Sequence, residues 1–194
     1  MNLEINDSLI PGTRLSKADM GNVTGLDFLS KVFYISDGVM LSQIREVSGI
    51  DGSTLQNWTK RGWVENARLK KYNIDQVAHI LIINMLRSCI QLDKIAFLLH
   101  YINGRGDDRS DDIIRDSVLY DYICRILEKL MEQDICSTAS IRSVIRAEIA
   151  DYTEAMPGAR ERLANALEII IVAYYAAVIK RRSDEMLNSL MGEQ

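Results

Sequence analysis

Proline is nearly missing from this chain: two residues in 194, beside 11 glycines. Linkers are built from such residues, so little of the chain can be linker and helix is favoured almost throughout. Cysteine is sparse too. Cys89, Cys124 and Cys136 are odd in number and far apart, which excludes a disulfide framework, and no Cys-x-x-Cys pair points to structural zinc. Such thiols suit a reducing compartment, so a cytoplasmic location is expected. The opening MNLEINDSLIPGTR carries acids and lacks the apolar stretch of a signal peptide. Catalytic signatures are lacking as well: no glycine-rich phosphate loop, no His-Glu-x-x-His and no Gly-x-Ser-x-Gly. The expectation is a protein that is not an enzyme and holds neither cofactor nor metal. His79 and His100 have no acid or cysteine at ligand spacing and read as core or surface histidines.

What is present is a soluble balance of 47% hydrophobic and 26% charged residues. The formal net charge of −4 is unevenly spread. Within 39–72, Arg45, Lys60, Arg61, Arg68, Lys70 and Lys71 outnumber Glu46, Asp51 and Glu65, a local net of +3 against −7 elsewhere. A basic patch on an acidic chain attracts phosphate locally and limits indiscriminate binding. The most apolar stretch, Leu163 to Ile179, has an uninterrupted run of 11 residues, Ile169–Ile179. A spanning helix needs about 20. No membrane contact is expected, and this helix reads as a bundle centre or a subunit interface.

Residues 1–23 mix Asn, Asp, Ser, Gly and Pro with few periodic apolar positions and are expected to form a flexible leader. From Thr24 the set Leu26, Leu29, Val32, Phe33 and Ile35 approaches helical spacing. Leu41, Ile44 and Val47 give the next helix one apolar face, and Gly49 supplies a tight turn. Asp51 or Ser53 can cap a further helix whose Leu55 and Trp58 point inward, Trp58 filling the core beneath it. Thr54, Gln56, Asn57, Lys60 and Arg61 are left outward, and Gly62 ends the helix. Trp63-Val64 and Tyr72 bracket a short basic hairpin carrying Arg68, Lys70 and Lys71. Helices are expected from about 73 to 88, from Leu92-Asp93 through Ile102 with Asn103-Gly104 stopping it, and at roughly 111–134, 138–155 and 158–190. The charged stretch 103–112 reads as the domain boundary, and its Asp107, Asp108, Asp111 and Asp112 as a solvated loop and helix start.

Helix, tight turn, helix and basic hairpin are the order in which a winged helix-turn-helix presents one helix to the major groove and a wing to the backbone. Residues 41–102 resemble the DNA-binding domain of MerR-type regulators, through Gly49-Ile50-Asp51-Gly52-Ser53-Thr54-Leu55-Gln56-Asn57-Trp58, Arg61-Gly62-Trp63-Val64 and Lys70-Lys71-Tyr72. The string including Ile35-Ser36-Asp37-Gly38 and Gln56–Gly62 resembles more closely an uncharacterised bacterial family catalogued as domain of unknown function 1836, over about residues 25–125. That resemblance implies a transcription regulator and nothing finer. MerR-type proteins usually place arginine where this chain has Ser53 and Gln56, and tyrosine where it has Asn57, implying different base readout. Their metal sensors carry effector cysteines that Cys124 and Cys136 do not reproduce.

The expected architecture is mainly α: a flexible leader at 1–23, a MerR-like winged helix-turn-helix at 24–104 with a small β wing, and an all-helical dimerisation or effector domain at 105–194. The expected function is a cytoplasmic transcription regulator of double-stranded DNA. Its recognition helix, about 53–61, would enter the major groove and its wing, 65–72, would lie on the backbone. Gln56 and Asn57 can pair with adenine edges, and Lys60, Arg61, Arg68, Lys70 and Lys71 can hold phosphates. Ser53, Thr54 and Tyr72 complete the expected DNA-contacting set. The partners are DNA and a second copy, paired through the C-terminal helices. Two alternatives stand beside this reading. One adds a small-molecule or protein effector to the helical body, in a cavity walled by Tyr120, Tyr122, Tyr174 and Tyr175. The other is a protein-interaction or scaffold module that binds no DNA.

Overall fold

The computed structural model describes residues 8–34, 37–104, 112–132 and 137–192. Among them it has eight α-helices and one two-stranded sheet. Helix α1 spans Gly25–Phe33 and is followed by strand β1, Val39–Met40. Helices α2, Leu41–Ser48, and α3, Gly52–Lys60, come next, then strand β2, Lys71–Tyr72. The remaining helices are α4 (Ile74–Leu86), α5 (Leu92–Asn103), α6 (Asp116–Glu132), α7 (Thr138–Glu148) and α8 (Ala159–Gly192). Strands β1 and β2 are antiparallel, pairing Val39 with Tyr72 and Met40 with Lys71.

The centre is α4. Its N-terminus is fixed by a reciprocal pair: Asn73 Oδ1 accepts from the Gln76 amide and Gln76 Oε1 accepts from the Asn73 amide, both at 2.9 Å. Val77, Ala78, Ile80, Leu81, Ile82, Ile83, Met85 and Leu86 are all buried, so the helix is covered on nearly every side. Helices α1, α6 and α8 pack on it, and α6 in turn packs on α1, α7 and α8. One apolar core therefore runs through both sides of position 104. Several spacing-based expectations hold: α1, α5 and the α2–α3 pair lie where the apolar periods put them. Helix α7 ends earlier than expected, passing into a 3-10 turn at Ile149–Asp151. Ile35, Asp107, Asp108, Asp111 and Cys136 lie outside the described residues.

The expected flexible leader is corrected for residues 8–23. Ile10 is 0% exposed, the Tyr120 hydroxyl donates to the Pro11 carbonyl at 2.7 Å, and Asn84 Nδ2 donates to the Gly12 carbonyl at 2.8 Å. Few apolar residues were needed to hold this segment, because its carbonyls dock on side chains from distant helices. Gly12, at φ +76°, rests on the Leu81 carbonyl, and a Cβ there would come within 2.3 Å of that oxygen. The α1 N-terminus is likewise satisfied from afar, the Leu26 amide donating to Asp121 Oδ1 of α6 at 2.8 Å.

Helix α8 has 34 residues, about 50 Å of helix. By length and composition it could cross a membrane, a property shared by core helices, and 50% of its most apolar window is buried against the body. The buried side carries Leu163, Ala166, Leu167, Ile170, Ile171, Ala173, Tyr174, Tyr175 and Val178. From Ile179 onward every described residue is exposed.

Candidate nucleic-acid interface

Helix α2 stops because Gly49 adopts the left-handed conformation, φ +72°, and closes the last turn by donating from its amide to the Arg45 carbonyl at 2.9 Å. Asp51 then opens α3. Its carboxylate accepts from the Thr54 amide at 3.0 Å, the Thr54 hydroxyl at 2.7 Å and the Ser53 hydroxyl. These bonds hold the Asp51 carboxyl well below the usual carboxylate range. Leu55 and Trp58 turn inward, Trp58 being 1% exposed, as its spacing from Leu55 predicts. Arg87 lies over its ring, 5.7 Å from the centroid.

The outer face of α3 carries Ser53, Gln56, Asn57 and Lys60, all exposed and spaced by three, one and three residues on one side of the helix. Two of the expected contacts are altered by the cap. The Ser53 and Thr54 hydroxyls both donate to Asp51, leaving only acceptor capacity outward, and the Asp51 charge fills the anion-attracting N-terminus of α3. Lys60 and Arg61 are exposed, and the Arg61 guanidinium stacks over the Trp63 ring at 5.1 Å.

The basic hairpin is smaller than expected. In place of strands across 65–72, the chain makes one tight turn in which Arg68 and Lys71 exchange both backbone hydrogen bonds, at 3.0 and 2.9 Å. Its two central residues, Leu69 and Lys70, have φ +50° and +65°, the pattern of a hairpin turn usually filled by Asn-Gly. Strand β2 pairs with β1 and not with residues 63–67, so the turn hangs on the strand that enters α2. Arg68, Lys70 and Lys71 are exposed around a Leu69 that is 97% exposed. Tyr72 is corrected: it is 8% exposed, a core residue facing away from the basic side, and burial raises its phenol above the ordinary value.

The charges around α3 and the turn share one property. Arg45, Lys60, Arg61, Arg68 and Lys70 form no ion pair with any described carboxylate. Gln56 and Asn57 make no side-chain hydrogen bond to a described residue.

A second set of polar side chains joins this region to the body, and the spacing of residues gave no sign of it. His79 Nε2 lies 2.9 Å from the Trp63 carbonyl and Nδ1 lies 3.1 Å from Asp116 Oδ2. Both partners are acceptors, so only the imidazolium satisfies both. Burial works against the charged ring, but Asp116 and the Trp63 carbonyl prevail and raise His79 above its ordinary value. Beside it Asp75 accepts from Arg115 at 3.0 Å and from the Ser117 amide and hydroxyl at 3.1 and 2.6 Å. A cleft opens next to these groups, lined by Trp63, Val64, Gln76, His79, Leu99 and Asn103 among others. The four tyrosines expected to wall an effector cavity are buried in the core, and of them Tyr174 borders a cleft with Leu9, Asn84 and Val178. Tyr122 donates to Asp151 Oδ1 at 2.9 Å. Burial pushes the Cys124 thiol up to about 12, which makes it unreactive. Among the described residues no group of three His, Cys, Asp or Glu is arranged to hold a metal ion.

Comparison with known proteins reaches the same stretch of chain. No solved structure matches significantly. The chain is 30% identical over 117 residues to the uncharacterized protein YkrK of Bacillus subtilis (strain 168), covering 58% of this chain. It spans about half the length of that relative, 49%. Residues 26–123 match the family described as Domain of unknown function (DUF1836), from α1 into the first half of α6. That match covers half of the chain, and the chain belongs to this family.

Proposed function

We propose that the protein is a DNA-binding transcription regulator, a winged helix-turn-helix of MerR-like form acting in the cytoplasm as a homodimer. The outer face of α3 enters the major groove, and the 68–71 turn rests on the phosphate backbone. The observation that carries the reading is the set of cations at 45–70 that pair with no described carboxylate, beside two amides on α3 that bond to no described residue. Lys and Arg left without acids supply the counterion-release term of DNA affinity. Gln56 and Asn57 supply donors and acceptors suited to adenine edges. With Asp51 on the N-terminus of α3, backbone anchoring falls to Lys60, Arg61, Arg68, Lys70 and Lys71. Two copies would set two such helices about 34–36 Å apart on one face of a palindromic site.

Selection of bound fragments from random duplex DNA, followed by gel-shift titration at several salt concentrations, tests this. Lys70→Ala with Lys71→Ala should weaken binding to every sequence about tenfold or more and flatten the salt slope by about two. Gln56→Ala should change the preferred sequence instead. Random recovery with no enriched site sinks the reading.

A second reading adds an effector, and the cleft beside His79 favours it. A ligand seated there would touch both the Trp63–Glu65 segment that follows α3 and the α5–α6 end of the body. A small-molecule screen read by melting temperature checks it; no shift from any compound class counts against an effector.

A further inference from the structure

One imidazole joins the segment after α3 to the first turn of α6. His79, in the middle of α4, holds the Trp63 carbonyl at Nε2 and Asp116 Oδ2 at Nδ1, at 2.9 and 3.1 Å. Trp63 follows Gly62 just beyond α3, and Asp116 is the first residue of α6. Among the described residues no other group donates to the Trp63 carbonyl. The bonds on either side of it differ in kind. The Trp63 amide donates to the Trp58 carbonyl at 3.0 Å, and Gln76 Nε2 donates to the Asn66 carbonyl at 3.2 Å. Neither of those donors titrates. The carbonyl of the peptide between Trp63 and Val64 is thus pinned by a titrating group alone.

The surroundings favour a charged ring. Glu65 from the segment after α3, Asp75 from α4, and Asp112 and Asp116 from the stretch entering α6 line one cleft with His79. Opposite them stand Arg115 and, from α5, the imidazole of His100. Four carboxylates about one guanidinium make a field that holds a proton on His79. The His79 and Asp116 side chains are each 23% exposed, so water reaches them from the cleft. When the proton leaves, the carboxylate, being the stronger acceptor, keeps the remaining N–H at Nδ1. Nε2 then turns a lone pair toward the Trp63 oxygen, and two acceptors at that distance repel. The peptide rotates away and water enters. The Trp63 ring loses the fixed position from which it holds the Arg61 guanidinium at 5.1 Å.

We infer that His79 is a proton-operated latch: the imidazolium holds Trp63, and through it Arg61, in place for DNA, and the neutral ring releases both. DNA binding therefore weakens as pH rises. The DNA half of this inference rests on the regulator reading, whereas the latch itself does not.

Nitrogen-15 NMR of the full chain reads the latch without DNA, with His100→Gln separating the two histidines. At about pH 6 both ring nitrogens of His79 should carry protons. The Val64 amide should shift with the same midpoint as the His79 ring, and that midpoint should lie above 6.5. Asp116→Asn should bring the midpoint down by about one pH unit. In His79→Gln, neutral at every pH, the Val64 shift should vanish; should that variant fail to fold, the lowered midpoint of Asp116→Asn carries the test. Gel-shift titration on a selected duplex should show wild-type affinity falling about fivefold between about pH 6.5 and 8.5, a range in which Lys and Arg keep their charge. His79→Gln should stay flat. A Val64 amide that ignores the His79 titration overturns the inference. So does a His79 ring with a single protonated nitrogen at pH 6, or DNA binding that falls equally in wild type and His79→Gln. A latch that titrates as expected in a chain that selects no DNA sequence would sink the regulator reading and leave the latch standing.

Discussion

The cations near α3 and the cations of α6 are the same side chains in opposite circumstances. On α6, Arg125 and Lys129 converge on the buried carboxylate of Glu148 from α7, Arg125 at 3.0 Å, and Arg125 also reaches Asp121 at 3.6 Å. Burial disfavours the Glu148 charge, but Lys129 and Arg125 outweigh it and hold its carboxyl below the ordinary value. Near α3, Lys60, Arg68 and Lys70 are exposed and pair with no described carboxylate. A cation that closes a gap between two helices is structural. One held on a rigid element with nothing opposite it contributes little to folding, and its charge remains available to something outside the fold.

That contrast can be broken at its strongest point first. Glu148→Ala should cost about 2 kcal/mol of unfolding free energy, since it removes charged hydrogen bonds at a buried acceptor. Urea titration measures it, and DNA affinity should not move. Lowering pH should reproduce part of the loss. Glu148 is depressed below its unfolded value of 4.5, so its contribution is complete above that value and disappears as pH falls through the folded one.

His79 gives an intermediate effect of opposite sign. Its folded value is raised above 6.5, so the Asp116 pairing contributes fully below pH 6.5 and is lost as pH rises through the raised value. Asp116→Asn should therefore lower stability by about 1 kcal/mol at pH 6 and by much less at pH 9. Equal losses at the two pH values would mean that the imidazolium is not the bonded form.

The smallest effect is the sharpest comparison. Lys60→Ala or Lys70→Ala should change stability by no more than about 0.5 kcal/mol, while the paired substitution at Lys70 and Lys71 carries the DNA effect given above. A large stability loss from Lys70→Ala would show that the turn's cation has a structural partner after all.

The local features of this molecule were legible and the distant ones were not. Gly49, Asp51 and Gly62 mark the limits of α3 because turns and caps are decided by residues within a few positions. The inward Leu55 and Trp58, and the outward Gln56 and Asn57, follow from helical period alone. The burial of Tyr72 is not legible locally, because it depends on pairing with Val39, across more than thirty residues. Likewise α4 read as a helix with one inner side. Its other side is covered by α1, α6 and α8, which no period within α4 can announce. The family to which the chain belongs was legible, since its resemblance rests on a contiguous string. The His79 bridge was not, because Asp116 lies thirty-seven positions away and Trp63 contributes only a carbonyl.

The docked segment at residues 9–14 has a consequence in time. The Pro11 carbonyl waits for Tyr120, which lies 109 positions later in the chain. At a synthesis rate of about 5–20 residues per second, that partner is made roughly 5–20 s after the segment it holds. Gly12 can settle on Leu81 and Asn84 as soon as α4 has formed, but the Pro11 carbonyl stays without its donor until α6 arrives.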